Sequence, residues 1–254
     1  MAQTGRRRRQ RAGICTRTGI VVLSTLGGLL GSVTVGGLIA FTPVQPAGAG
    51  APSIPKGVVA KGEAALLQLS DLPSGWVSGA TGATPARVAP WSATLAHCVG
   101  VRGSITSLKP VKVNSPDFTS ADHELAVVDS VSVYPSGSGA RAAYAAMAKP
   151  KTTRCMNTIA GPALQSGMQQ QAAGGTAVGS ATFAGLPPGA AASHVTGFTV
   201  TIPLTTGGRQ ITVTSTQFDF VQGALLHQIT FNGNGTTFPA ELEIQLLTTA
   251  NHRG

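Results

Sequence analysis

The reactive inventory of this chain is small: five histidines, nine carboxylates and three cysteines in 254 residues. His97, His123, His194 and His227 are scattered through the body, and His252 sits near the end. No pair has the H-x-x-x-H spacing that sets two imidazoles on one helix face for zinc. Asp122, His123 and Glu124 are adjacent, but neighbours along an extended chain point apart, so they form no metal cluster. There is no G-x-S-x-G nucleophile elbow, no G-x-x-x-x-G-K-[ST] phosphate loop and no strand-linked G-x-G-x-x-G. Motifs therefore assign no catalytic, cofactor-binding or metal-ligating residue.

A site assembled from distant residues is recognised by geometry rather than spacing. Asp129 and His227 are the pair to watch, because each falls on the apolar parity of a strand. Asp129 reads either as an edge or bulge position whose carboxylate reaches water, or as a buried carboxylate with a raised pKa. His227 reads as a hydrogen-bonded core histidine or, with Asp129, as part of an envelope-acting hydrolase or transferase. Trp76 and Trp91 read either as core residues or as contacts on a ligand face.

Cys98 and Cys155 lie beyond an apolar N-terminal run, while Cys15 precedes it and so is not a lipobox cysteine. Two cysteines in an exported, oxidising compartment most simply form one disulfide; two buried free thiols are the alternative. The absence of C-x-x-C argues against a dithiol oxidoreductase. A bond between them requires both helices that carry them to pack on the same side of the sheet. The strand at 124–134 lies in the enclosed loop, so reduction is expected to loosen it before the terminal hairpin.

The elements that position these groups follow from periodicity. Residues 56–69 read as a helix, with Val58, Val59, Ala65, Leu66 and Leu69 as its stripe and Gly62 on the same face. A shorter helix spans 91–99, and a loop with Pro110 and Pro116 leads to Phe118. Residues 124–134 alternate as a strand. The tract PSGSG supplies a turn and an N-cap serine for an Ala-rich helix over 140–148. A further helix carries Cys155 and Ile159 and is interrupted at Gly161-Pro162; residues 172–180 read as a flexible loop or hinge.

The last third is β-rich. Phe198, Val200, Ile202 and Leu204 alternate with polar residues, and Thr206-Gly207-Gly208 turns the chain. Ile211 and Val213 take one parity and Phe218 and Phe220 the other, which predicts a β-bulge near 215–217. Gln222-Gly223 turns again into Leu225, Ile229 and Phe231. Asn234-Gly235-Thr236, formally a glycosylation sequon, reads as a turn. A terminal helix follows, with Pro239 at its start and Phe238, Leu242, Leu246 and Ala250 on one side. Hairpin-linked strands with a covering helix predict an α+β fold: an antiparallel sheet with helices packed on it.

The charge is lopsided. Six of the 18 basic residues lie within the first 17 positions, and no Asp or Glu precedes Glu63. Without that head the balance is 12 basic against 9 acidic, or +3, with no basic stripe, so no nucleic-acid partner is expected. Residues 19–41 carry no charge and, at about 1.5 Å per residue, would reach roughly 34 Å, enough for a bilayer core. The expected organisation is a basic cytoplasmic head (1–18), a transmembrane or signal helix (19–41), a Pro/Gly/Ala linker (42–53) and an extracytoplasmic domain (54–254). The alternative is secretion after cleavage near Ala49, at Ala47-Gly48-Ala49.

Several stretches together carry a resemblance. These are LLQLSDLPSGW (66–76), LAHCVGV (95–101), SPDF (115–118), SVSVYPSGSGARAAYAAMA (130–148) with the following Cys155, and the closing hairpin and helix. The chain resembles a family of uncharacterised actinobacterial exported proteins. That family is similar in outline to mycobacterial PsbP-like lipoproteins and to the extracellular sensor domains of actinobacterial Ser/Thr kinases. The resemblance implies an α+β domain with one disulfide and a ligand cleft, and it brings no catalytic residues. The expected function is an extracytoplasmic ligand-binding or protein-interaction module without a cofactor. Its ligand, a small molecule or envelope component, would lie on the sheet or in the cleft between sheet and N-terminal helices.

Overall fold

A computed structural model describes residues 54–79, 92–100, 110–172, 174–186 and 195–253. The expected head, apolar helix, linker and cleavage site lie outside these residues, as do Trp91 and His194. Among the described residues no helix is long and apolar enough to cross a membrane.

The order is α1 (Lys56–Ala65), β1 (Val77–Ser78), α2 (Ser92–Val99), β2 (Val111–Asn114), β3 (Phe118–Thr119), β4 (Leu125–Val133) and α3 (Gly137–Met147). Next come α4 (Lys151–Cys155), a π-helical turn (Met156–Ala160), α5 (Gly161–Gln171), β5 (Thr176–Val178) and β6 (Thr182–Gly185). The chain closes with β7 (Val195–Thr206), β8 (Arg209–Gln222), β9 (Leu225–Asn234) and α6 (Ala240–Arg253). The described strands form one sheet in the order β1-β3-β4-β9-β8-β7-β5, with β2 on β4 and β6 on β7, and every pairing is antiparallel. The α+β expectation holds.

Helices cover both faces of the sheet. On one face α1 packs on Val131, Val133 and Leu225, while α6 packs on Val127, Phe218, Ile229 and Phe231. On the other, α2, α3, α4 and α5 pack on Phe183, Phe198, Val200, Ile202, Leu204 and Val213. With both faces covered, all ten residues of β9 are buried. Gly62 marks the closest approach of α1, since a Cβ there would lie 2.5 Å from Val133 Cγ2.

Cys98 and Cys155 are bonded, with Cα atoms 6.0 Å apart. Their helices share one hydrophobic cluster on one side of the sheet, as the bond requires. The N-cap serine is Ser136, whose hydroxyl accepts from the Gly139 N–H. Gly207 (φ 56°) and Gly208 (φ 77°) turn β7 into β8 with two left-handed residues, the type I′ hairpin pattern.

Five local expectations are corrected. Helix α1 stops at Ala65 rather than residue 69, because Leu66 turns extended and the next backbone N–H groups find partners outside the helix. The loop before Phe118 contains an edge strand, β2, paired to β4. Gly161-Pro162 does not interrupt its helix. The π-helical turn widens the ladder just upstream, where Gly161 N–H reaches Met156 O, and so accommodates the proline's missing donor. The 172–180 segment contains β5, held by Leu204 to Thr206 of β7. Finally β8 has no bulge: its pairings to β7 and β9 run without a slip from end to end.

Candidate ligand-binding face

The parity switch in β8 has a different origin. Ile211, Val213, Ser215, Gln217, Asp219 and Val221 all keep one face, and Phe218 and Phe220 turn to the face covered by α6. Side chains i and i+2 share a face, so the register places Ser215 opposite Asn232, Gln217 opposite Thr230 and Asp219 opposite Gln228. Next along β4 come Val128 and Ser130, opposite Thr230 and Gln228. On the β7 side lie Val200 and Phe198. A polar block is thus set into the face that carries α2 to α5, bordered by their apolar core.

The block is buried. Gln217 is 0% exposed, Asp219 1%, Gln228 2% and Ser215 4%. Asp219 Oδ1 accepts two amide donors, Gln217 Nε2 at 2.8 Å and Gln228 Nε2 at 3.1 Å. Burial pushes the Asp219 carboxyl up to about 7, opposed by those hydrogen bonds and by Lys112. Burial likewise lowers Lys112 to about 8, and the Asp219 charge opposes the shift. Tyr144 on α3 is raised by burial and by the same carboxylate.

Beside this clamp, Ser215 Oγ, Gln217 Oε1, Asn232 Nδ2 and both amide atoms of Asn234 are buried with no hydrogen-bond partner. Buried polar groups are nearly always partnered, by protein, ordered water or a ligand, so these five atoms on neighbouring residues of one sheet face mark where the protein's own hydrogen bonding is incomplete. Sequence assigns none of these residues to a site: 215–217 reads there as a bulge and Asn234 as part of a turn. Their signal was the parity switch itself, because polar side chains occupy β8 positions in phase with Val213.

The sequence-derived pair lies on the opposite face. Asp129 sits opposite Ile229, and His227 opposite Val131, so the two are diagonal neighbours on adjacent strands. No hydrogen bond joins them: both His227 nitrogens and Asp129 Oδ1 are without partners. His227 stacks on Phe220, with ring centroids 4.5 Å apart and an 8° interplanar angle, and burial lowers its pKa to about 4. It is a core histidine, but a stacked one rather than a hydrogen-bonded one.

Asp129 is not an edge residue reaching water: it is 0% exposed and its carboxyl is pushed up to about 7 by burial. The Leu67 N–H donates to its Oδ2 at 2.9 Å. Nearby, Arg253 donates to Leu66 O at 2.8 Å and to Asp71 Oδ1 at 2.6 Å.

Trp76 packs its ring 6.1 Å from that of Phe238, beside the α6 core, and does not face the polar block. Asp122 Oδ1 accepts from the Glu124 N–H while His123 takes a left-handed backbone (φ 60°), so these three residues make a tight turn. Asn234 is buried at the strand end and Gly235 (φ 74°) turns the chain after it, as expected of a turn.

No family model matches the chain, and no curated protein does. Among solved structures it is similar to the extracellular domain of PknH from Mycobacterium tuberculosis, at 12% identity and a TM-score of 0.37 over 76% of this chain and 96% of that one. A likeness of that strength carries no inference about ligand or activity.

Proposed function

We propose that the chain is an extracytoplasmic binding module, tethered by residues 19–41 or released after cleavage near Ala49, whose small ligand sits on the polar face around Asp219. The observation that carries this reading is the group of orphaned buried polar atoms on Ser215, Gln217, Asn232 and Asn234. A bound molecule would satisfy groups that the fold buries at a cost. The Cys98–Cys155 bond supports placement outside the cytoplasm, since such bonds persist in oxidising compartments. The alternative of an envelope-acting hydrolase or transferase, built on Asp129 and His227, draws no support from two side chains that share no hydrogen bond.

Two measurements test the reading. A reporter active only outside the cytoplasm, fused after Ile54, should be active; an inactive one refutes the placement. A thermal-shift screen of the full-length chain against small polar molecules, charged and neutral, should find at least one that raises Tm in a saturable way. The shift should shrink when Gln217 is replaced by Ala.

A further inference from the structure

Helix α1 carries little stability of its own, and its end is tied to a buried carboxyl group. We propose that the segment from Ile54 to Leu67 is a pH-sensitive clasp: it closes on the sheet while Asp129 is protonated and lifts locally when that group ionises. The proposal is independent of the binding reading, since the clasp covers the other face of the sheet.

The helix is weak for reasons visible in its residues. Of its ten residues only Gly62 and Ala65 are buried. Pro55 precedes it without a side-chain cap. Lys56 stands in the first turn and Glu63 in the last, each opposing the helix dipole. Gly57 and Gly62 disfavour the helical state relative to alanine. An element with so few buried apolar contacts opens at less cost than the whole domain.

What holds the segment is its end. Ala65 and Leu66 pack on Val131, Val133 and Leu225. The Leu67 N–H donates to Asp129 Oδ2 at 2.9 Å, and Arg253 Nη1 donates to Leu66 O at 2.8 Å. Asp129 is 0% exposed, and its Oδ1 has no hydrogen-bond partner. The Leu67 and Ser130 N–H groups favour the charged form, yet burial outweighs them and pushes the carboxyl up to about 7.

The surrounding charges do not reverse this. From α6, Arg253 favours ionisation of Asp129, but its guanidinium is shared with Asp71 at 2.6 Å, and the Asp71 carboxylate opposes it. From β9 comes His227, neutral above about pH 4 because burial lowers its pKa. Ser115, before β3, is uncharged and its hydroxyl accepts from the Asp129 N–H, while Lys112 of β2 lies on the other face. On α1 itself Lys56, Lys61 and Glu63 are exposed.

Lifting the segment brings Asp129 to water and returns it towards an ordinary value near 4. Ionisation therefore favours the open form increasingly from about pH 4 to about 7, and the effect levels off above. Between pH 5 and pH 8 the opening equilibrium should rise on the order of a hundredfold. Val113, Val131, Val133 and Leu225 then lose their cover.

The test is amide hydrogen exchange of the full-length chain in detergent from pH 5 to pH 9, with each rate corrected for intrinsic exchange at that pH. Amides of residues 60–67 should be less protected than those of β9 throughout. Their protection should fall on the order of a hundredfold between pH 5 and pH 8 and then level off. Asp129→Asn should abolish the fall. Arg253→Gln should lower protection at pH 5 by at least about tenfold, through the lost bond to Leu66 O.

Protection equal to that of β9 would mean that α1 opens only with the whole domain, and a flat wild-type profile would mean that Asp129 does not control it. Either result overturns the proposal, as does a fall that persists in Asp129→Asn or a latch untouched by Arg253→Gln. Should Asp129→Asn not fold, the wild-type profile decides, because a fall that continues undiminished above pH 8 excludes a group titrating near 7.

Discussion

The backbone N–H of Leu67 donates to Asp129 Oδ2 at 2.9 Å, joining residues 62 positions apart. The contact exists because α1 ends at Ala65, where the extended Leu66 releases the following N–H from the helical ladder. A carboxylate on the central strand β4 takes it up. On the other side Arg253, at the end of α6, holds Leu66 O and Asp71. The N-terminal helix is thereby fastened to the sheet and to the C-terminal helix within one turn of chain.

Asp129→Asn tests the protonation of that contact. The folded carboxyl titrates near 7 against an ordinary value near 4, so the folded state binds the proton more tightly than the unfolded one. The stabilising contribution of protonated Asp129 is therefore full at low pH and is lost as pH rises through about 7. An asparagine keeps the acceptor for Leu67 and carries no charge. The variant should match wild type near pH 4 and exceed it above pH 7, by on the order of a few kcal/mol. Chemical denaturation across this range checks it; a variant less stable at pH 8 would contradict the assigned cause.

His227→Phe separates a packed histidine from a catalytic one. The ring is depressed to about 4, so the unfolded state binds protons more tightly between about 4 and 6.5. Stability from His227 is present above that window and lost as pH falls through it. Phenylalanine keeps the stack on Phe220 and cannot be protonated. The variant should melt close to wild type at pH 7.5 and above it at pH 5, as followed by thermal melting at the two values.

Gly62→Ala weighs helix propensity against packing. Alanine gains up to about 1 kcal/mol in a helix interior. Its Cβ would lie 2.5 Å from Val133 Cγ2, on a stiff, buried side chain of β4, so α1 must move outward. Overpacking of this kind costs about 1–3 kcal/mol, and the net change should be destabilising. Equal or raised Tm would mean that α1 lifts from β4 without cost.

Reducing the Cys98–Cys155 bond, or replacing both residues by Ser, should lower Tm by about 5–10 °C, given about 2–4 kcal/mol for such a bond. The element that depends on the bridge is α2, which packs chiefly on α4 and the π-helical turn. Strand β4, expected from sequence to loosen first, is instead held along nine residue pairs to β9 and flanked by β2 and β3. Hydrogen exchange should show α2 losing protection before β4.

Features under local chemical control were legible in the residues alone. Glycines at 207, 208 and 223 set the turns, Ser136 capped α3, and the period-2 runs of β4, β7 and β9 fixed an antiparallel sheet. The apolar side of α6 was legible from Phe238, Leu246 and Ala250, since one helix face must be buried. The pairing of Cys98 with Cys155 was the simpler of two readings, because the two stand alone beyond the apolar run, and the folded helices bear it out against two free thiols.

Whatever depended on a second covered face emerged only from the packing of distant segments. Ser215, Gln217 and Asp219 look like a break in a strand when one face is assumed to be wet. With helices on both faces, the same residues continue an unbroken strand, and the polar side chains are buried in place. Asp129 and His227 share an apolar parity in sequence, yet only the register of β4 on β9 sets them diagonal, one capped by Leu67 and the other stacked on Phe220. Pairing register and face coverage are long-range quantities. They are fixed by which segments meet, so periodicity within any one segment leaves them open.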